Sequence, residues 1–528
     1  MKICRLFAIL ERLPKMGLFG LIFLIGFSTL GCNSDFKTAR KKVLRVQLLS
    51  EPASLDPSFA EDGASLRVLA NVMDGLVGFD AGGKLQNFLA ESYRLSPDQK
   101  TYEFVLRKEA RWSDGRAVLP EDFVVAVRRA LSPDTATKMA SLLFPIRGAK
   151  DFHAGKSPPT SLGVRVKRNR LVVELEKPHP YFIQAFSFVS LAPLRKDILD
   201  ANGGKWPDTA PSTGAYHILS RVLDQKIVLE ANPYFWGAKP NVQSVELLII
   251  HDESTGTNLF ERGEVDILTR VGSVEYQRLK KKGVLKVDPF LATAYVAFNV
   301  RKKPFDDVKW RKAVAGAIQK NELILALGTG ETPACGLVPE GIEGHIRFEN
   351  CPAYFSEALA WVKNETKDRK FLIEAGFDGG ARTSLILEKI QNDLLLRLGA
   401  NLKLSSMDWK SYLKNLATDA PPLFRFAWMT PFQDPILFLN IFRGGENPNN
   451  YSHWSDPVYD RIVESIEQSS PGKRREDLIR RAQKIAVFDQ AVVVPLYHYV
   501  QANAVSNRVL GFKVNAFGLL RFSDLDLR

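Results

Sequence analysis

LAESYRLSPDQKTYEFVLRKEARWSDGRAVLPEDFVVAVRRAL, residues Leu89 to Leu131, spells a strand, a turn and a helix in succession. Polar and apolar residues alternate from Thr101 to Arg107, the period of a strand with one buried face. Trp112-Ser-Asp-Gly115 then reads as a tight turn, because glycine adopts positive φ without steric penalty. Pro120 opens a helix, with Glu121 and Asp122 at its positive end and Arg128 and Arg129 further on. Outward from this stretch, strand-like runs (Val43–Leu49, Leu171–Leu175, Lys226–Glu230, Val245–Ile250, Ala294–Asn299) mix with helical ones (Val308–Leu327, Arg474–Val487). The mixture predicts an α/β protein. Breaks fall near Gly82-Gly83, Pro158-Pro159, Asp288-Pro289 and Pro421-Pro422, and no internal repeat is present.

Residues 1–31 read as an export signal. Lys2, Arg5, Arg12 and Lys15, offset only by Glu11, precede the uncharged apolar run Leu18–Leu30. That run is short for a bilayer span, which takes about 20 residues. It ends in Thr29-Leu-Gly-Cys32, which resembles a bacterial lipobox with threonine in the usual leucine place. Cys32 is then the lipidated first mature residue, and 32–42 a polar tether; an ordinary cleaved signal or an uncleaved anchor is the alternative. The remaining body is long enough for two or three lobes with proper cores. The composition of the whole chain, 45% hydrophobic and 25% charged, is that of an ordinary globular protein. The whole chain carries a net charge of +13, which suits anionic ligands or an anionic membrane surface, or serves solubility alone. No arginine-rich run interleaved with aromatics points to nucleic acid. Cys335 and Cys351, close in sequence and in an oxidising compartment, form a disulfide or remain two thiols of incompatible geometry.

Further blocks accompany the opening stretch. They are Glu51-Pro-Ala-Ser-Leu-Asp-Pro57, Ser212-Thr-Gly-Ala-Tyr216, Gln225 to Gly237 (QKIVLEANPYFWG), Phe260-Glu-Arg-Gly-Glu-Val-Asp-Ile267, Pro304-Phe-Asp-Asp-Val308, Trp409-Lys-Ser-Tyr-Leu413, Asn449-Asn-Tyr-Ser452 and Val494-Pro-Leu-Tyr497. Their ordered succession resembles the family 5 extracytoplasmic solute-binding proteins, the oligopeptide- and dipeptide-binding lipoproteins of ABC importers. The resemblance covers nearly all of residues 43–528 and is weakest from about Cys335 to Ala400. It implies a two-lobed periplasmic-binding-protein clamshell of the class II type, with an extra domain inserted in the first lobe. Lobe I would take 43–80, 190–290 and 500–528, the extra domain 81–189, and lobe II 291–499. Ligand would be enclosed between the lobes as they close about a hinge.

In peptide-binding members the ligand is an extended strand held by backbone hydrogen bonds, with charged groups at its termini. Phe424 to Pro435 (FRFAWMTPFQDP) is the decisive segment. The family's aspartate for the peptide amine stands three residues after the tryptophan that Trp428 matches, and Pro431 occupies that place. The substitution removes a carboxylate and a backbone donor. Asp434 is a substitute acid or a structural turn residue. By resemblance, Arg425 and Lys302 lie near the ligand's carboxyl end, Trp409 and Trp428 line side-chain pockets with Met429 and Thr430 beside them, and Glu51 meets ligand from the first lobe. Each also has a plain reading: a structural salt bridge for Arg425, a solvated basic run for Lys302, core for the tryptophans, local pairing for Glu51. A basic end without its acidic partner suits a carboxylate ligand whose amine is blocked or absent, or a free peptide whose amine another acid meets.

The seven histidines are scattered and form no HExxH or closely spaced metal pair. No GxSxG elbow or P-loop is present, and the resemblance makes Ser212-Thr-Gly-Ala-Tyr216 a structural turn. The expectation is a monomeric binding protein with no enzymatic activity, cofactor, metal or nucleic-acid partner. It would be anchored to membrane through Cys32 in the periplasm or at the cell surface, and would hand peptides or peptide-like carboxylates to ABC permease subunits. The alternatives are a non-peptide ligand (chelated metal, saccharide, N-blocked cell-wall fragment) on the same scaffold, or a surface lipoprotein with an interaction or sensing role.

Overall fold

The computed structural model describes residues 43–528 apart from 61, 136, 180–181, 352–354, 368–370, 431–432 and 446. The signal 1–31, the tether 32–42 with Cys32, and Pro431 thus lie outside the described residues.

The opening stretch folds as its pattern demands. Strands Ala90–Leu95 and Thr101–Leu106 pair antiparallel, with Tyr102 and Phe104 on the buried face. Gly115 closes the turn at φ 87°. The helix Pro120–Leu131 buries Phe123, Val124 and Val127. Leu119 has no capping side chain, so Asp122 reaches back. Its carboxylate accepts the Leu119 N–H at 3.0 Å and the Trp112 indole N–H at 3.2 Å. Near the far end, Arg129 grips Asp56 bidentately at 2.6 and 2.7 Å, pinning this helix to the Glu51–Pro57 segment. Strands Arg170–Glu174 and Val164–Lys167 complete a four-stranded sheet.

An eleven-stranded sheet runs through the molecule, built about two long antiparallel strands, Leu285–Phe298 and Val493–Val505. On one side follow Ile267–Leu268, Val43–Leu48, Ser244–Ile249, Lys226–Ala231 and Tyr216–Val222. On the other follow Leu423–Met429, Phe371–Asp378 and Ala400–Met407. The long pair shifts register between Pro289 and Thr293. Proline has no N–H to give a ladder, so it sits at an irregularity. The break expected at Asp288-Pro289 is therefore a step inside one strand.

The apolar cores part at the same place. One cluster runs from Leu44 to Ile249 and is completed by Ile267 and by Val505 to Leu525. A small satellite holds Val265, Leu279 and Ala504. Two more clusters draw only on residues from Leu291 to Tyr497. The four-stranded sheet has no core of its own, since Tyr102, Phe104 and Phe186 belong to the cluster of Leu44 and Phe522. The helical run Val308–Leu327 is two helices, Val308–Ala317 and Lys320–Leu327. Ile318 turns extended, and the Gln319 N–H is taken by Asp393 at 2.9 Å; a tertiary acceptor has outweighed local periodicity. The second run is an α-helix, Lys473–Gln483, continued by a π-helical segment, Lys484–Asp489.

Cys335 and Cys351 are bonded, with Cα atoms 5.5 Å apart, which resolves the pairing left open by sequence. Lys320 donates to the Ala334 carbonyl at 2.7 Å. His345, inside the tied loop, lies 5.4 Å between ring centroids from His498, whose Nδ1 meets Thr293 Oγ1 at 2.9 Å. Burial foremost, then His345 and Lys320, lowers the His498 pKa from 6.5 to about 3.

Two outcomes follow. The Cys335→Ser/Cys351→Ser double variant should lose about 3 kcal/mol in urea unfolding, since the bridge closes a loop of sequence separation 16. Unfolded His498 takes up a proton near 6.5 that the folded protein refuses until about 3, so stability should fall as pH drops through that window. Urea midpoints of His498→Gln should show a shallower fall there than the parent protein.

Candidate functional site

In α/β sheets, ligands sit outside the carboxyl ends of parallel strands. Phe371–Asp378, Ala400–Met407 and Leu423–Met429 run parallel and end in Asp378, Met407 and Met429. In the first lobe, Val43–Leu48 and Ser244–Ile249 are likewise parallel. A cavity of about 330 Å³ opens between the lobes. Met429 and Thr430 close it from the second lobe; Met73, Phe79, Phe88 and Phe517 are among its first-lobe walls.

The decisive strand Leu423–Met429 alternates its faces. Phe424 and Phe426 are buried in one second-lobe core, with Trp428 packed against it. Arg425 and Met429 point the other way. Arg425 holds Asp378 at 3.2 Å and the Tyr499 hydroxyl at 2.7 Å, while its Nε is buried without a hydrogen-bond partner. Burial alone would lower its pKa, but Tyr499, Tyr497 and Asp378 outweigh that and raise it, so Arg425 is a permanent cation. The Asp378 side chain is 24% exposed, the more open half of the pair. Trp409 stacks on Phe426 at 5.8 Å between centroids and is 53% exposed. The Trp428 indole N–H is buried and has no hydrogen-bond partner among the described residues. Met429 is exposed, and Thr430 is buried with its N–H on the Leu291 carbonyl at 3.1 Å.

Three expected ligand groups are occupied elsewhere. Glu51 accepts from Arg221 at 2.8 Å and from the Asp224 N–H at 2.9 Å, so its carboxylate is spent within the first lobe. Lys302 pairs with Asp419 at 2.6 Å. It follows Phe298, which faces Leu423 at the start of the decisive strand, away from the cavity end at Met429. Asp434 is buried, bidentate to one Arg475 nitrogen at 2.9 Å twice, and accepts the Ile436 N–H. Burial is the main cause that raises its pKa. Pro431 lies outside the described residues.

The structure adds residues that sequence reasoning missed. Asp74 sits at the cavity wall beside Arg521 at 3.5 Å and accepts the Trp236 indole N–H at 2.8 Å. Burial is the largest influence on Asp74, and its pKa is raised. Arg521 lies over the Phe88 ring at 4.5 Å. Trp236 belongs to the quoted QKIVLEANPYFWG block, and that block was the available signal. Ser212-Thr-Gly-Ala-Tyr216 serves the same corner: Thr213 Oγ1 accepts the Asp74 N–H at 3.0 Å. A Cβ on Gly214 would meet Val72 backbone at 2.7 Å, which explains the glycine. Among the described residues no cluster of three or more histidine, cysteine or acidic side chains is placed to hold a metal.

The family model of bacterial extracellular solute-binding proteins, family 5, middle region, matches residues 84–450. The chain belongs to this family. The family 5 protein is 31% identical to the periplasmic oligopeptide-binding protein OppA of Salmonella typhimurium, over 88% of each chain. It superimposes on the unliganded open form of the periplasmic murein tripeptide-binding protein MppA with a TM-score of 0.81 at 27% identity, covering 92% of this chain and 97% of that one. Against the Haemophilus influenzae OppA complex with the peptide RPPGFSPFR, the TM-score is 0.73 at 27% identity, covering 92% and 99%. The two-lobed α/β clamshell expected from sequence is thus the fold.

Closure on a ligand should change the surroundings of exposed Trp409 more than those of Trp112, which is 0% exposed. Ligand-induced tryptophan emission change should therefore shrink by at least about half in Trp409→Phe, as expected when one of the exposed reporters dominates. An undiminished change would place ligand elsewhere.

Proposed function

We propose that this protein is the lipid-anchored receptor of an ABC uptake system, capturing peptides or peptide-like carboxylates between its lobes and delivering them to the permease. The single observation that carries the reading is Arg425. It is a buried, permanently charged guanidinium on the second-lobe sheet, held by Asp378 at the end of the neighbouring strand and by the Tyr499 hydroxyl, with one nitrogen left unpartnered among the described residues. An incoming carboxylate supplies what that group lacks. The family's relatives support it: OppA is named for oligopeptides and MppA for murein tripeptide.

The apolar cavity beside Met429 receives a side chain, and the backbone of the ligand runs along the strand edge. With glutamate and aspartate candidates committed to internal pairs and proline at 431, the site favours ligands whose amine is blocked or met by Asp378. The better superposition on an open relative than on a peptide complex supports an unclosed arrangement, which ligand would shift toward closure. Acylation at Cys32 supplies the membrane attachment; among the described residues no helix is long and apolar enough to cross a membrane. No catalytic step is assigned.

Native mass spectrometry of protein from its own cells should release a peptide or peptide-like carboxylate; a neutral compound would overturn the carboxylate reading. Arg425→Lys should weaken a free-carboxylate ligand by about 10-fold or more while costing its amidated analogue little, as expected for a lost charge-assisted hydrogen bond. Equal losses for the two would remove Arg425 from the ligand's carboxyl end.

A further inference from the structure

We propose that the basic face formed by Lys281, Lys286, Arg508 and Arg528 docks on an anionic phospholipid surface. Val43 is where the tether joins the body, and its carbonyl accepts from the Arg508 guanidinium at 3.0 Å. The Arg508 carbonyl in turn accepts the Arg528 N–H at 2.9 Å. Arg528 and Lys286 line one open concavity of about 490 Å³ with Gly283 and Phe512. The helix Ser273–Lys281 ends immediately before it, in Lys280 and Lys281, with Lys282 as its cap. The root of the tether is therefore set among basic side chains.

Part of this charge is internally compensated. Arg508 pairs with Asp266 at 3.5 Å, and Lys282 with Glu261 at 2.5 Å. Lys280 lies over the Tyr276 ring at 5.9 Å. Lys286 acts on Asp288 electrostatically without a close ion pair. Lys281, Lys286 and Arg528 make no salt bridge among the described residues, and all three are exposed.

The occupant follows from what precedes Val43. The sequence there carries Lys37, Arg40, Lys41 and Lys42 against Asp35. With Cys32 acylated, a reading on which this inference rests for its orientation, ten residues separate the lipid from the body. Fully extended they reach about 35 Å. The tether root is thus the face presented to the bilayer, at an effective concentration of about millimolar. A weak attraction suffices there, because the acyl chains do the holding and the charges only orient. Anionic headgroups complement the surplus charge, and the attraction operates within a Debye length of about 10 Å at 0.1 M salt.

The test leaves the lipid out, so its outcome is independent of acylation and of the ligand. All described cores and the whole main sheet lie within 43–528, so a body starting at Asn33 keeps its fold. That body should co-sediment with phosphatidylglycerol vesicles in dilute buffer, and not with phosphatidylcholine vesicles or at 1 M salt, where the Debye length is about 3 Å. The triple variant Lys281→Glu/Lys286→Glu/Arg528→Glu should bind phosphatidylglycerol vesicles at least about 10-fold more weakly with ligand-induced thermal shift unchanged. A body starting at Val43 should retain measurable binding. Loss of all binding on removing 33–42, or a triple variant that binds as before, would overturn the proposal. So would a variant that keeps vesicle binding but loses uptake in cells, which would assign the face to the permease.

Discussion

Everything in this molecule hangs on the ladder between Leu285–Phe298 and Val493–Val505. Backbone hydrogen bonds are obligatory wherever backbone is buried, and this pair satisfies them from one lobe into the other. Sheet strands of the first lobe attach through Ile267–Leu268 at one end of Val493–Val505, and the second-lobe strands attach through Leu423–Met429 along Leu285–Phe298. The ladder shifts register between Pro289 and Thr293 and again between Ala294 and Tyr295. The apolar cores separate at the first of these too. A register step that costs little packing on either side is the natural position for relative movement of two bodies that share a sheet.

Charge is distributed by the same economy. Buried ions need partners, and this chain meets most of that need from within: Arg129 with Asp56, Arg221 with Glu51, Arg475 with Asp434. Each pair joins segments far apart in sequence. They leave Arg425 as a buried cation whose companions, Asp378 and the Tyr499 hydroxyl, do not exhaust its donors. At the first-lobe wall, Asp74 and Arg521 form a second pair under apolar cover. The first-lobe wall of the cavity therefore carries a charge pair already neutralised locally, while the second lobe keeps a cation with a donor to spare.

The strand, turn and helix of Leu89–Leu131 were legible because local physics decides them: alternation, a glycine at positive φ, proline and acids at a helix start. The family blocks were legible as order, and the clamshell followed. The single-helix reading of Val308–Leu327 failed because Asp393, seventy-odd residues on, supplies an acceptor that no local pattern announces. Glu51 and Asp434 stay open in the sequence between ligand contact and local pairing, because a carboxylate in a family motif carries no mark of its partner, and Arg221 and Arg475 are distant in sequence. Arg425 is placed near the ligand's carboxyl end by resemblance, since nothing local marks an arginine inside a strand as a ligand group. Asp74 and Arg521 were invisible because they are 447 residues apart and neither sits in an anomalous sequence.

The first-lobe core has a vectorial consequence. Leu44, Val46 and Val68 share a cluster with Val509, Val514, Leu520, Phe522 and Leu525, and the second-lobe clusters require Val492 to Tyr497. A nascent chain that has reached residue 490 therefore possesses neither lobe in finished form. Completion of both lobes waits on the segment from Val492 to Leu525, so neither can close its core ahead of the other's last strand.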